Sequence, residues 1–170
     1  PTAHSNIVGA TGPYLLGEFS WAASHLNSIT VTNAETNKNI EFDKRESASY
    51  PGLLRVSAMN RELRVESNTI YVTHRSHISV VTISNTSNAA QSIIPQWEGK
   101  VFSPFAMRSE GGGIIITTHK GELSIAFGKQ LEASININAD TAYTAALKPI
   151  TIEPGGEISI ASAVTYLPYH

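Results

Sequence analysis

The sequence predicts an all-β protein, an antiparallel super-β-sandwich of about a dozen strands. Three observations carry that expectation. Apolar and polar residues alternate with period two along most of the chain. Gly, Pro and Asn clusters separate the alternating runs. Charged residues make up only 15% of the chain, with Ser, Thr and Asn on the polar positions instead, as suits strands with one buried face and one uncharged polar face.

In chain order, Ser28-Ile-Thr-Val-Thr32 sets Ile29 and Val31 on one side and threonines on the other. Asn33 to Asn39 is a polar connection, and Tyr50-Pro-Gly52 is a turn that launches a further strand. Glu62-Leu-Arg-Val-Glu66 points Leu63 and Val65 inward and its charges outward. Thr69 to Thr73 and His77 to Ser84 follow with the same period, separated from the next strand by Asn85-Thr-Ser-Asn88. Pro95 interrupts the run Ser92 to Trp97 and predicts an edge position or a bulge, because proline donates no ladder hydrogen bond. Gly111-Gly-Gly113 is a turn into Ile114-Ile-Ile116, and Leu123 to Phe127 and Ser134 to Asn138 are further strands. Glu153-Pro-Gly-Gly156 is the turn before Glu157 to Val164, and Pro168 ends that last strand. Trp21 to Leu26 is compatible with a turn or two of helix, but it lacks a sustained 3.6-residue period. The expected core includes Ile29, Val31, Leu63, Val65, Ile78, Val80, Ile125, Phe127, Ile158 and Ile160. Each such side chain contributes roughly 1.5–3 kcal/mol when buried, so strand register should follow them.

With 170 residues the chain is expected to be one domain over residues 1–170, long enough to bury roughly 70% of the surface its unfolded form exposes. Twelve basic residues oppose 14 acidic ones, for a formal net charge of −2. No basic run is present, so nucleic acid and an anionic membrane surface are not expected partners. No apolar stretch approaches the ~20 residues that span a bilayer as a helix. The absence of cysteine excludes disulfides and thiolate metal sites. Pro1 predicts a chain trimmed from a longer one.

The chemistry-bearing residues are few. His74 and His77 have HxxH spacing, but residues three apart on a strand face opposite ways and no carboxylate cluster completes a ligand set. No metal and no cofactor is expected. Glycoside hydrolysis needs two carboxylates across the scissile bond, ~5–9.5 Å apart. The chain has Asp43, Asp140 and glutamates mostly in turns or on polar strand faces. Glu18 and Glu98 differ in lying beside aromatics, Glu18 near Phe19 and Trp21, Glu98 next to Trp97. Neither has the partner that catalysis requires, so no catalytic residue is assigned. Phe19, Trp21, Trp97, Phe102 and Phe105, with Glu18 and Glu98, are candidates for an interdomain or sugar-facing surface. Aromatic faces stack on sugars, while the same rings can equally fill a core or dock a neighbouring domain.

The order of elements resembles the amino-terminal domain of bacterial glycoside hydrolase family 63 enzymes of the α-glucosidase type. The residues that carry the resemblance are the leading segment Gly12 to Ser20, Leu26 to Thr32, Ile40-Glu-Phe42, Tyr50-Pro-Gly52, Glu62 to Glu66, Arg75 to Asn85, Trp97-Glu-Gly99 and the closing strand Ile158 to Tyr166. The resemblance implies a non-catalytic domain that packs against and supports an (α/α)6 catalytic barrel in the same polypeptide, whose acid and base lie outside this chain. It further implies an exported parent enzyme, periplasmic or secreted, with an oligosaccharide as candidate ligand. On this reading the isolated segment is inactive. The alternative is a free-standing carbohydrate-binding or adhesive β-sandwich.

Overall fold

The computed structural model describes residues 7–9, 14–17, 20–102, 105–128, 132–138 and 141–169, with side chains described from residue 22 onward and at residues 7–9. The strands in chain order are β1 (Tyr14–Gly17), β2 (Ser20–Asn33), β3 (Lys38–Asn39), β4 (Lys44–Tyr50) and β5 (Leu53–Met59). There follow β6 (Leu63–Thr73), β7 (Ser76–Asn85), β8 (Gln91–Val101), β9 (Ala106–Glu110) and β10 (Gly113–Thr117). The chain closes with β11 (Gly121–Phe127), β12 (Ala133–Asn138), β13 (Ala142–Leu147), β14 (Ile150–Ile152) and β15 (Glu157–Pro168).

All pairings are antiparallel, and they form two sheets. The first runs β1-β2-β8-β13-β12, with β3 added to β2 and β14 to β8. The second runs β4-β5-β6-β7-β15-β11-β10-β9. The all-β sandwich expected from the alternation is what the chain forms. Leu63, Val65, Ile83, Ile116 and Ile125 from the second sheet meet Ile29, Val31, Ile93 and Trp97 from the first in one continuous core. Trp97 of β8 stacks on Phe127 of β11 with ring centroids 4.9 Å apart.

One local expectation was fulfilled for a reason now visible, and another was met differently. Pro51 and Gly52 make the β4–β5 turn, with Gly52 at φ 77°, a conformation that suits a residue without Cβ. Pro95, expected at an edge or a bulge, lies instead in the central strand β8, in regular register opposite Val31 of β2. On its other side β8 changes partner there, from β13 at Gln96 to β14 at Ile93. The proline therefore sits at a gap in the ladder, where a missing donor costs least.

Other expectations were not. Trp21 to Leu26 is strand, the first half of β2. Register shifts between Ala23 and His25 and again between His25 and Ser28 break its alternation, which is why Leu26, Asn27, Ser28 and Ile29 are all buried in succession. Glu62–Glu66 and Thr69–Thr73 are one continuous strand, β6. Ile40 to Phe42 lies outside the strands. Strand β4 (Lys44–Tyr50) carried no apolar alternation because it is an edge strand, its Lys44, Arg45 and Glu46 exposed where further pairing must be discouraged.

The most consequential difference is in β7. Ile78, expected inside, is 41% exposed, and Val80 is half-buried. The inward set is instead His77, Ser79, Val81, Ile83 and Asn85. Phe127 and Ile158 are half-buried against the core, while Ile160 is buried as expected.

Candidate functional site

The register of β7 follows from a polar layer inside the sandwich. Thr69, Ser79 and Ser162 lie side by side on β6, β7 and β15, at pairings Thr69 with Ser79 and Ser79 with Ser162. All three are buried, and Asn27 of β2 meets them from the opposite sheet. Asn27 Nδ2 donates to Ser79 Oγ at 3.1 Å and to Ser162 Oγ at 3.0 Å. Thr69 and Ser79 share a hydrogen bond of 2.7 Å. His77 Nε2 lies 3.2 Å from Asn27 Oδ1. That oxygen is acceptor-only, so the imidazole carries its proton on Nε2. Buried polar groups are tolerated because each finds a partner.

A consequence appears on the outer face. Since polar side chains point inward at this level, the residues next to them in sequence point outward, and Ile70, Ile78, Val80, Ala161 and Ala163 among these are apolar. Tyr50 pairs with Leu53, Leu53 with Ile70, Ile70 with Ile78, Ile78 with Ala163, and Ala163 with Ala126. This row crosses six neighbouring strands. Tyr50 is 54% exposed and Ile70 48%. Nearer the other end of β6 the same face is charged, where Glu66 accepts from Arg64 and Asn68, each at 3.0 Å. The apolar row is thus bounded on that side by charge, and it forms a partly exposed strip of the kind that marks a contact surface.

The residues singled out in the sequence do not come together. Glu18 and Phe19 lie outside the described residues. Trp21 pairs with Leu15 along β1 and β2; its side chain is outside the described set. Trp97 is a core side chain, 1% exposed, and so is neither a sugar platform nor a docking ring in this structure. It faces inward because β8 alternates regularly from Ile93 through Pro95 and Trp97 to Gly99. Phe105 is half-buried against the core, and Phe102, 58% exposed, follows β8 with its backbone N–H bonded to Ala22 at 3.0 Å.

Glu98 occupies the opposite face of β8 between Ser28 of β2 and Thr144 of β13. Burial pushes its carboxyl above the usual range, with the Thr30 hydroxyl opposing the shift. Among the described residues its Oε1 is buried without a hydrogen-bond partner. A carboxyl so placed favours the protonated form, and the register sets hydroxyls beside it. Among the described residues no three of His, Cys, Asp or Glu gather as a metal set. His74 lies in the β6–β7 turn and His77 on the inner side of β7, so the HxxH pair is split.

No family model matches the chain, and no curated protein sequence does. Among solved structures it is similar to a heparan sulfate lyase HepC mutant from Pedobacter heparinus, at 14% identity and a TM-score of 0.57, over 83% of this chain and 24% of that one. That likeness establishes a shared sandwich fold. Weaker likenesses are to a protein assigned as a kojibiose phosphorylase from the human microbiome (14% identity, TM-score 0.45, 83% of this chain, 22% of that one). A heparinase III gene product with methylated lysines gives 10% identity and a TM-score of 0.46, over 82% of this chain and 23% of that one. The chain thus spans about a quarter of the length of the structures it resembles.

Proposed function

We propose that this chain is a non-catalytic β-sandwich domain of a larger carbohydrate-active enzyme, and more narrowly of an exported α-glycoside hydrolase of the family 63 type. Its task is to pack against the helical (α/α)6 barrel of the same polypeptide and support it. The observation that carries this reading is the outward apolar row from Tyr50 through Leu53, Ile70 and Ile78 to Ala163. An exposed strip of this kind is stabilised by burial against a partner at roughly 25 cal/mol per Å2 of apolar surface. The likeness to about a quarter of a heparan sulfate lyase supports a place within a longer chain, and the order of sequence elements supports the family. The partner's barrel supplies the acid and base, and the sandwich supplies a rigid platform.

The test compares this chain alone with the same chain joined to its adjoining coding sequence. Hydroxyl-radical labelling should mark Tyr50, Ile70 and Ile78 in the isolated chain and fall at all three in the longer protein. Trp97 is already buried and should stay dark in both. Equal labelling of the row in the two proteins would remove the docking reading. Turnover of aryl α-glucosides by the isolated chain, lost on Glu98→Gln, would make the domain an enzyme in its own right.

A further inference from the structure

At the end of the sandwich that carries the β6–β7 turn, the space between the sheets opens into a cleft of about 150 Å3. Leu26 of β2 lines one side, and Tyr71, His77 and Tyr166 line the other. Tyr71 pairs with the buried His77 and so belongs to the inner face, yet it is 50% exposed. Its ring is therefore offered to the cleft, held at 5.8 Å from the His77 ring and inclined to it by 54°. His77 is in turn fixed by Asn27 at 3.2 Å.

The rim carries one arginine on a turn whose backbone is fixed. His74 and Arg75 form the turn. The Arg75 N–H donates to Thr73 Oγ1 at 3.1 Å, and its carbonyl accepts from the Tyr166 N–H at 2.8 Å. Tyr166 Oη donates to the Lys120 carbonyl at 2.8 Å, which fixes that ring as well. Among the described residues Arg75 makes no ion pair, and no residue lining the cleft is acidic. A cleft lined by an arginine that makes no ion pair among the described residues, a half-exposed aromatic ring and an imidazole fits a ligand with an apolar face and a negative group.

We propose that this cleft binds one acidic pyranose of a glycan, a uronic acid residue. The sugar's apolar face lies on Tyr71, and its carboxylate accepts from Arg75 with His74 alongside. The choice of a sugar over another small anion rests on the carbohydrate-active reading above, while the cleft itself is separate from the outward row that docks the partner. The ligand would be held at the open end of the sandwich, leaving the outer face free.

The experiment is a two-dimensional NMR titration of this chain with three probes: an oligosaccharide containing glucuronate, its carboxyl-reduced neutral counterpart, and inorganic sulfate. The glucuronate probe should shift Tyr71, Arg75 and Tyr166 resonances, and the neutral one should bind more weakly by about tenfold or more. Arg75→Gln should lower affinity for the acidic probe by about tenfold and leave the neutral one unchanged. Tyr71→Ala should weaken both, and Tyr71→Phe neither. Both positions are exposed, so amide dispersion in each variant verifies the fold. Equal affinity for acidic and neutral probes, or for the native chain and Arg75→Gln, overturns the charge assignment. Sulfate binding as tightly as the glucuronate probe overturns the sugar assignment. No shifts at the cleft overturn the site, yet leave the labelling of Ile70 and Ile78, which tests the docking reading, untouched.

Discussion

Asn27, on one sheet, donates a 3.1 Å hydrogen bond to Ser79 on the other. The bond joins the two layers of the sandwich where an apolar contact would be usual, and it decides which way a whole strand faces. With Ser79 turned inward, Ile78 and Val80 turn outward. A one-residue slip of β7 would restore them to the core and take Ser79 and His77 from the Asn27 amide, leaving it only Ser162 of β15.

Removing that amide should be costly. Asn27→Ala leaves the Ser79 and Ser162 hydroxyls and the His77 N–H buried with a partner lost. Urea unfolding should show a loss of about 2–3 kcal/mol. Replacing every member of the network by an apolar residue (Asn27→Leu, Thr69→Val, His77→Leu, Ser79→Ala and Ser162→Ala) should recover a good part of it, because an apolar layer needs no partners. A fully apolar variant less stable than Asn27→Ala would show that the network holds the fold by something other than mutual satisfaction.

Gly99 is required by a neighbouring ring. A Cβ there would overlap Tyr143 and press on the Leu26 carbonyl, the same carbonyl that accepts from the Tyr143 hydroxyl. Gly99→Ala should destabilise by about 2–3 kcal/mol. Pairing it with Tyr143→Leu should relieve the clash, so the two changes should be far from additive in denaturant titrations.

Stability should fall on mild acidification. Burial holds His77 below the ordinary histidine range, and burial followed by the Lys100 charge does the same to His25. A folded-state value below the unfolded 6.5 means the unfolded chain takes up protons first. The contribution is fully present above that pH and is lost as pH falls below it. Glu98 is displaced the other way by burial, so it opposes folding more as its carboxyl ionises above the unfolded 4.5. Thermal midpoints should therefore drop between about pH 7.5 and about pH 5.5, and less steeply in His77→Gln. An unchanged slope in that variant would assign the effect to His25.

The outward row should be dispensable for folding. Ile70→Asp and Ile78→Lys alter exposed side chains and should change stability by less than about 1 kcal/mol. The same changes should reduce self-association of the isolated chain in sedimentation velocity. A loss of several kcal/mol would mean that the row is part of this chain's own packing.

The sequence by itself determined many of the strands, several turns and much of the core. Period-two alternation is local, so Leu63, Val65 and Ile125 could be placed inward from their charged or hydroxyl neighbours alone. Pro51-Gly52 and the glycines at 111–113 are turn chemistry that any context would read the same way. What only the tertiary structure decided is which face wins where both are uncharged. In Ile78-Ser79-Val80-Val81 alternation offers two faces of similar polarity, and Asn27, 52 residues away in sequence, selects between them by hydrogen bonding. The bulges of β2 hid a strand for the same reason, since their register is set by β8 rather than by neighbours along the chain. Trp97 lies inside because Phe127 of the facing sheet receives it. The cleft arises where Tyr71, Tyr166 and the His74-Arg75 turn converge from separate strands, and linear order carries no mark of that convergence.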